Sequence, residues 1–88
     1  MMIDFKYQIC ITKKQNSEQN IVHNTMDGCV SSIEILETGI PLFGYYMPKD
    51  DNKPHRFFTT PVLNFVEKED GNIFVETKNT FYKFKKLV

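Results

Sequence analysis

Four β-rich runs crowd the last third of this 88-residue chain, and their short connections restrict what it can fold into more than any other feature. Residues 56–60 (RFFTT), 62–67 (VLNFVE), 73–77 (IFVET) and 81–87 (FYKFKKL) have strand length and the β-branched and aromatic content of strands. They are separated by Pro61, by Asp70-Gly71-Asn72 and by Lys78-Asn79. Asp-Gly between two β-rich runs is a strong hairpin signal. Connections this short force sequence neighbours to pair antiparallel, so the C-terminal part is expected to be a meander.

The N-terminal end carries the same period. Ile3, Phe5, Tyr7, Ile9 and Ile11 alternate with Asp4, Lys6, Gln8 and Cys10, which is the pattern of a half-buried strand. A one-residue slip of register would expose all five apolar side chains. Residues 13–20 are polar and aperiodic and read as an exposed loop, residues 21–23 as the start of a further strand, and Asp27-Gly28 as a turn. Residues 29–38 (CVSSIEILET) admit two readings. Ser31 and Glu34 have capping-box spacing ahead of Gly39 and Pro41, which would frame a short helix over 31–38. Ile33 and Ile35 alternate with polar neighbours, which suits a strand, and the strand reading is preferred. In residues 40–47 (IPLFGYYM), Pro and Gly point to a sheet edge or a bent strand. Residues 48–54 (PKDDNKP) then form a charged loop closed by proline at both ends.

At this length one core is expected, a single small β domain over residues 1–88. An antiparallel sheet of five to seven strands with little helix to cover it must curl or fold over. The expected fold class is therefore all-β, a small SH3-like barrel or compact β-meander or sandwich, and the alternative is an α+β roll with one helix at 31–38.

Charge and cysteine usage narrow the function classes. Eleven basic and eleven acidic side chains cancel, so no net field draws the chain to nucleic acid or to an anionic membrane. Two cysteines, Cys10 and Cys29, fall short of a secreted disulfide framework, and the N-terminus lacks the apolar region of a signal peptide. A reducing cytoplasm with free thiols is the expected setting, and no apolar run approaches the ~20 residues of a membrane span.

No motif for catalysis emerges. His23 and His55 stand in no nucleophile pattern with either thiol, and Cys10, His23, Cys29 and His55 have no metal-ligand spacing. Asp50-Asp51-Asn52 departs from a calcium loop because its acids are adjacent and flanked by Lys49 and Lys53. Glu67, Glu69, Asp70 and Glu76 surround the Asp-Gly turn as an edge-protecting acidic rim. The chain is expected to be a non-enzyme without cofactor or metal.

Two surfaces remain. Tyr45, Tyr46, Met47, Arg56, Phe57 and Phe58 flank the Pro-bounded loop, and adjacent aromatic residues on a strand point to opposite faces, so one of each pair lies outside the core. Tyr, Phe, Met and Arg are the types enriched at protein interfaces. These six are the expected contacts to a larger protein or complex. The alternative is a nucleic-acid-binding small barrel using Lys78, Tyr82, Lys83, Lys85 and Lys86, in which lysines track phosphates and aromatic rings stack on bases. Alternation puts Phe81, Lys83, Lys85 and Leu87 on one face and Tyr82, Phe84, Lys86 and Val88 on the other, so neither face is uniformly basic.

The C-terminal segment TTPVLNFVEKEDGNIFVETKNTFYKF resembles the ending of short β proteins of low-GC bacteria and their phages. The shared residues are Pro61, Val62, Val75, Thr77, Asn79, Thr80 and Tyr82, within a Pro-Val run, a hairpin and a V-x-T-x-N-[ST]-x-Y element. The chain is also similar in size, and in having no enzyme motif, to phage inhibitors of host defence such as anti-CRISPR proteins. That resemblance implies a mobile-element inhibitor that occupies a partner's surface, and it carries no catalytic residue across.

Overall fold

The computed structural model describes residues 2–14 and 26–87. Among the described residues the elements are seven strands: β1 (Tyr7–Lys13), β2 (Val30–Ser31), β3 (Pro41–Tyr46), β4 (His55–Pro61), β5 (Asn64–Glu67), β6 (Ile73–Glu76) and β7 (Thr80–Lys86). They form one antiparallel sheet in the order β4-β3-β2-β1-β7-β6-β5. The all-β expectation holds, and the alternative helix over 31–38 does not form. The strand start expected at residues 21–23 lies outside the described residues.

The spine of the sheet is the ladder between β1 and β7, paired from Tyr7↔Lys86 to Lys13↔Thr80. Its inner face carries Ile9 opposite Phe84 and Ile11 opposite Tyr82. The N-terminal alternation is therefore correct in register, but the strand begins at Tyr7. Ile3 and Phe5 precede it and are half-buried, as are Tyr7 and Ile11, so only Ile9 of the five is fully buried.

On the other side of β1 the pairing is brief, for a local reason. Gly28 has φ +84°, a left-handed turn that side chains disfavour, and it swings the chain across β1. The Ile9 amide then donates to the Cys29 carbonyl at 2.9 Å, while the Ile11 amide donates to the Asp27 carboxylate at 2.9 Å. A side chain thus replaces a ladder partner. Segment 29–38 is extended but not regular. After β2, the amides of Glu34 and Ile35 both donate to the Phe43 carbonyl (2.9 and 3.1 Å), the two-against-one pattern of a bulge. Isolated bridges join Ile35 to Phe43 and Thr38 to Val62.

β5, β6 and β7 form the expected meander. The β5–β6 turn uses Gly71 at φ +88°, with its amide donating to the Lys68 carbonyl at 2.9 Å and Lys68 paired back to Asn72 at 2.8 Å. That geometry is a three-residue loop completed by a left-handed glycine. The meander does not include β4, which pairs with β3 at the far edge of the sheet. The two residues that join β4 to β5 bend the chain instead of reversing it. Val62 exchanges hydrogen bonds with residues 39–40, whereas the Leu63 amide turns to the Glu76 carbonyl at 2.8 Å.

This corner closes the fold. β4 and β5 are the two edges of the sheet, yet only Val62 and Leu63 separate them, so the sheet must curl until its edges approach there. Phe57 on β4 and Phe84 on β7 show the same curl. Four strand spacings would hold them about 19 Å apart in a flat sheet. Their rings instead stack with centroids 6.4 Å apart and planes at 17°. The concave side holds the core, with Ile9, Leu42, Tyr46, Phe57, Val62, Ile73, Val75, Tyr82 and Phe84 joined by Met26 and Cys29.

Candidate protein-binding surface

Strand alternation sorts the expected interface residues into two groups. On β3 the even positions Leu42, Gly44 and Tyr46 face the core, and on β4 Phe57 does the same. Tyr46 is 6% exposed and Phe57 3%, their rings 6.3 Å apart, so these two belong to the core and are corrected out of the surface. Phe43, Tyr45, Arg56 and Phe58 occupy the outer face. The register sets Phe43 opposite Phe58 and Tyr45 opposite Arg56, and the bridge from Ile35 to Phe43 adds a third apolar side chain to the row.

The outer rings contact one another. Phe43 stacks on Phe58 at 4.8 Å and 21°, and Tyr45 meets the edge of Phe43 at 5.3 Å. Phe58 is 66% exposed and Ile35 46%. Cross-strand aromatic pairs order these rings, leaving Phe43 and Tyr45 half-buried and Phe58 exposed, so a partner would meet a surface already arranged. Met47, just beyond β3, is half-buried, and its amide donates to the Val30 carbonyl at 3.0 Å. Phe43 and Ile35 were missed by sequence reasoning. The Phe43 signal was present, since it shares the parity of Tyr45, but Ile35 reaches the surface row only through the bulge.

The charged loop after β3 is held by its own acids. His55 Nε2 lies 3.0 Å from Asp51 Oδ2, and the Lys53 amide donates to Asp51 at 3.1 Å. The His55 bond, then the Lys53 amide, hold the Asp51 carboxyl below its ordinary range.

The lysines of the alternative surface do not converge. Lys83 and Lys85 lie on the outer face of β7, and Lys83 sits 5.7 Å from the Phe74 ring centre. Lys86 lies on the opposite face beside Gly71, and Lys78 is in the β6–β7 turn, at the other end of β7 from Lys85 and Lys86. The acidic rim is similarly divided: Asp70 accepts the Asn72 amide within the turn, while Glu76 is clasped by Lys14 and Asn64, which hold its carboxyl below the ordinary range.

Tyr82 is a core residue, 2% exposed, and cannot stack on a base. Burial pushes its phenol up to about 12 from the ordinary 10.0, against hydrogen bonds with Thr80 and Thr77 that pull it down. The neutral phenol is therefore favoured by folding. Its contribution to stability is complete below pH 10, the unfolded value, and is lost as pH rises toward about 12. Stability measured by urea midpoint is expected to hold through pH 9 and to fall by roughly 2–3 kcal/mol across that alkaline window. Tyr82→Phe should flatten this fall relative to wild type, and an equally steep fall would assign it to other groups.

Cys10 is exposed and Cys29 is buried. Cys10 borders a shallow depression with Thr12, Phe74, Phe81 and Lys83, without a histidine. Among the described residues no three His, Cys, Asp or Glu side chains cluster as metal ligands, and no helix is long and apolar enough to cross a membrane. His23 lies outside the described residues. Compared with known proteins, the chain matches no family model, no curated protein and no solved structure.

Proposed function

We propose that this chain is a non-enzymatic binding protein that occupies the surface of a larger protein through the outer face of β3 and β4. The observation that carries this reading is the ordered outer row of half-buried Phe43 and Tyr45 and exposed Phe58, with Arg56 beside it. Ring stacking fixes their rotamers before binding, which lowers the entropy cost of association. Aromatic residues beside an arginine are the composition of interface hot spots, and the complementary partner is an apolar surface bearing a carboxylate for Arg56. A mobile-element inhibitor of host defence is the sharpest form of the proposal, and it rests on the resemblance of the C-terminal third.

The test is affinity capture from a bacterial lysate after nuclease treatment, followed by variants on the recovered partner. Tyr45→Ala and Phe58→Ala are each expected to weaken binding by roughly 2 kcal/mol or more while leaving the fold intact, because neither side chain is in the core. Joint replacement of Lys83, Lys85 and Lys86 should change binding little. Capture that requires nucleic acid and those lysines, and ignores the aromatic variants, would replace this reading with a nucleic-acid binder whose affinity falls steeply with salt.

A further inference from the structure

β5 is an open sheet edge of unusual character. All four of its residues are exposed, and among the described residues it pairs only with β6. Lys68 is hydrogen-bonded to Asn72, so alternation assigns Val66 and Asn64 to the β6 side. The amides and carbonyls of Phe65 and Glu67 therefore point to the free edge. Sheet edges are normally blunted by proline, lysine or a covering segment. β4, the other edge, carries Arg56 and ends in Pro61, whereas Asn64–Glu67 contains neither a proline nor a basic residue. The apolar side chains Leu63, Phe65, Val66, Phe74 and Phe81 are all exposed around it.

We propose that β5 pairs antiparallel with β5 of a second copy of this chain, extending the sheet across a two-fold axis at Val66. The occupant follows from self-complementarity. With Phe65 and Glu67 facing outward, only three symmetric registers are available. Centring on Glu67 sets two carboxylates directly opposite, which is repulsive. Centring on Phe65 requires Leu63 to bond across the edge, but its amide already donates to Glu76. Centring on Val66 pairs Phe65 with the second copy's Glu67 in both directions and opposes the two valines, which are 48% exposed in the monomer.

The same register is also complementary in charge. Asn64 donates its amide Nδ2 to Glu76 at 2.6 Å, which leaves its Oδ1 as the acceptor it can offer to a second copy. Lys68, the residue after β5, then falls opposite Asn64 of the second copy, where its ammonium can donate to that oxygen beside the Glu76 carboxylate. The pairing occurs twice per dimer. This edge shares no residue with the outer face of β3 and β4, so the proposal stands independently of the partner surface proposed above.

The test is sedimentation equilibrium of the full chain up to about 1 mM, the range of a weak association, with amide hydrogen exchange at matched concentrations. A mass rising to twice 10.4 kDa is expected. The amides of Phe65 and Glu67 should gain protection with concentration, while that of Val66 is protected throughout by β6. Val66→Lys places like charges on the two-fold axis and should weaken the dimer about tenfold or more. Phe65→Glu should weaken it similarly by facing Glu67, whereas Phe65→Lys, which loses the same ring, should retain it. A wild-type chain that stays monomeric, or a dimer that is indifferent to these charges and leaves Phe65 and Glu67 unprotected, would overturn the proposal.

Discussion

Gly44→Ala is expected to destabilise the fold by about 3 kcal/mol, the upper end of what overpacking costs. The cause lies in the bulge that joins residues 32–35 to β3. The Tyr45 amide donates to the Ser32 hydroxyl at 3.2 Å, taking a side-chain oxygen where a ladder would offer a carbonyl. The Ser32 carbonyl is turned against Gly44 instead, and a Cβ there would stand 2.3 Å from that oxygen and 2.9 Å from the Phe57 ring. Backbone on one side and a buried ring on the other leave nothing free to yield. Gly39 supplies the contrast. It has φ +93° but open space around it, so Gly39→Ala should cost only about 1 kcal/mol and Gly39→Asn less. Urea midpoints of the three variants check the ranking, and equal losses at Gly44 and Gly39 would show that the crowding at Gly44 is relieved by local movement.

Phe84→Ala should cost roughly 3–5 kcal/mol, as expected for emptying a fully enclosed ring site. Phe84 is 0% exposed, on the strand next to the centre of the sheet. Its ring contacts Tyr7 edge-on at 6.2 Å, Tyr82 at 6.3 Å and Phe57 at 6.4 Å. The last contact bridges the curl, so its loss loosens the closure of the sheet as well as leaving a cavity. Phe81, on the outer face of the same strand, is 46% exposed, with the Lys14 ammonium 4.9 Å from its ring centre. Phe81→Ala should remain within about 1 kcal/mol of wild type. Thermal unfolding of the pair separates an inner from an outer face three residues apart, and a large loss at Phe81 would mean the faces are misassigned.

The binding surface was half legible. Adjacent aromatic residues must diverge on a strand, so one member of Tyr45-Tyr46 and one of Phe57-Phe58 had to leave the core. Which member leaves is set by the register of β3 against β4, and that information is not local. The same limit explains Tyr82, whose residue type suits a stacking platform but whose parity on β7 sends it into the core beside Ile11. Ile35 joins the outer row because a bulge shifts its parity by one, a step that no alternation count across residues 29–38 reveals.

By itself, the sequence determined the features that arise between near neighbours: period-two alternation in β1 and β7, a left-handed glycine at Asp70-Gly71, and tight hairpins in the C-terminal meander. Backbone sterics and turn chemistry act over two to five residues, so they are written where they act. Tertiary structure decided the rest. The Val62–Leu63 corner sends β4 to the far edge of the sheet instead of into the meander, because Val62 bonds to residues 39–40 and Leu63 to Glu76. These partners are distant in sequence and become neighbours only once the sheet curls. Closure of the core, the faces on which the aromatic residues lie, and the open edge at β5 all follow from that long-range choice.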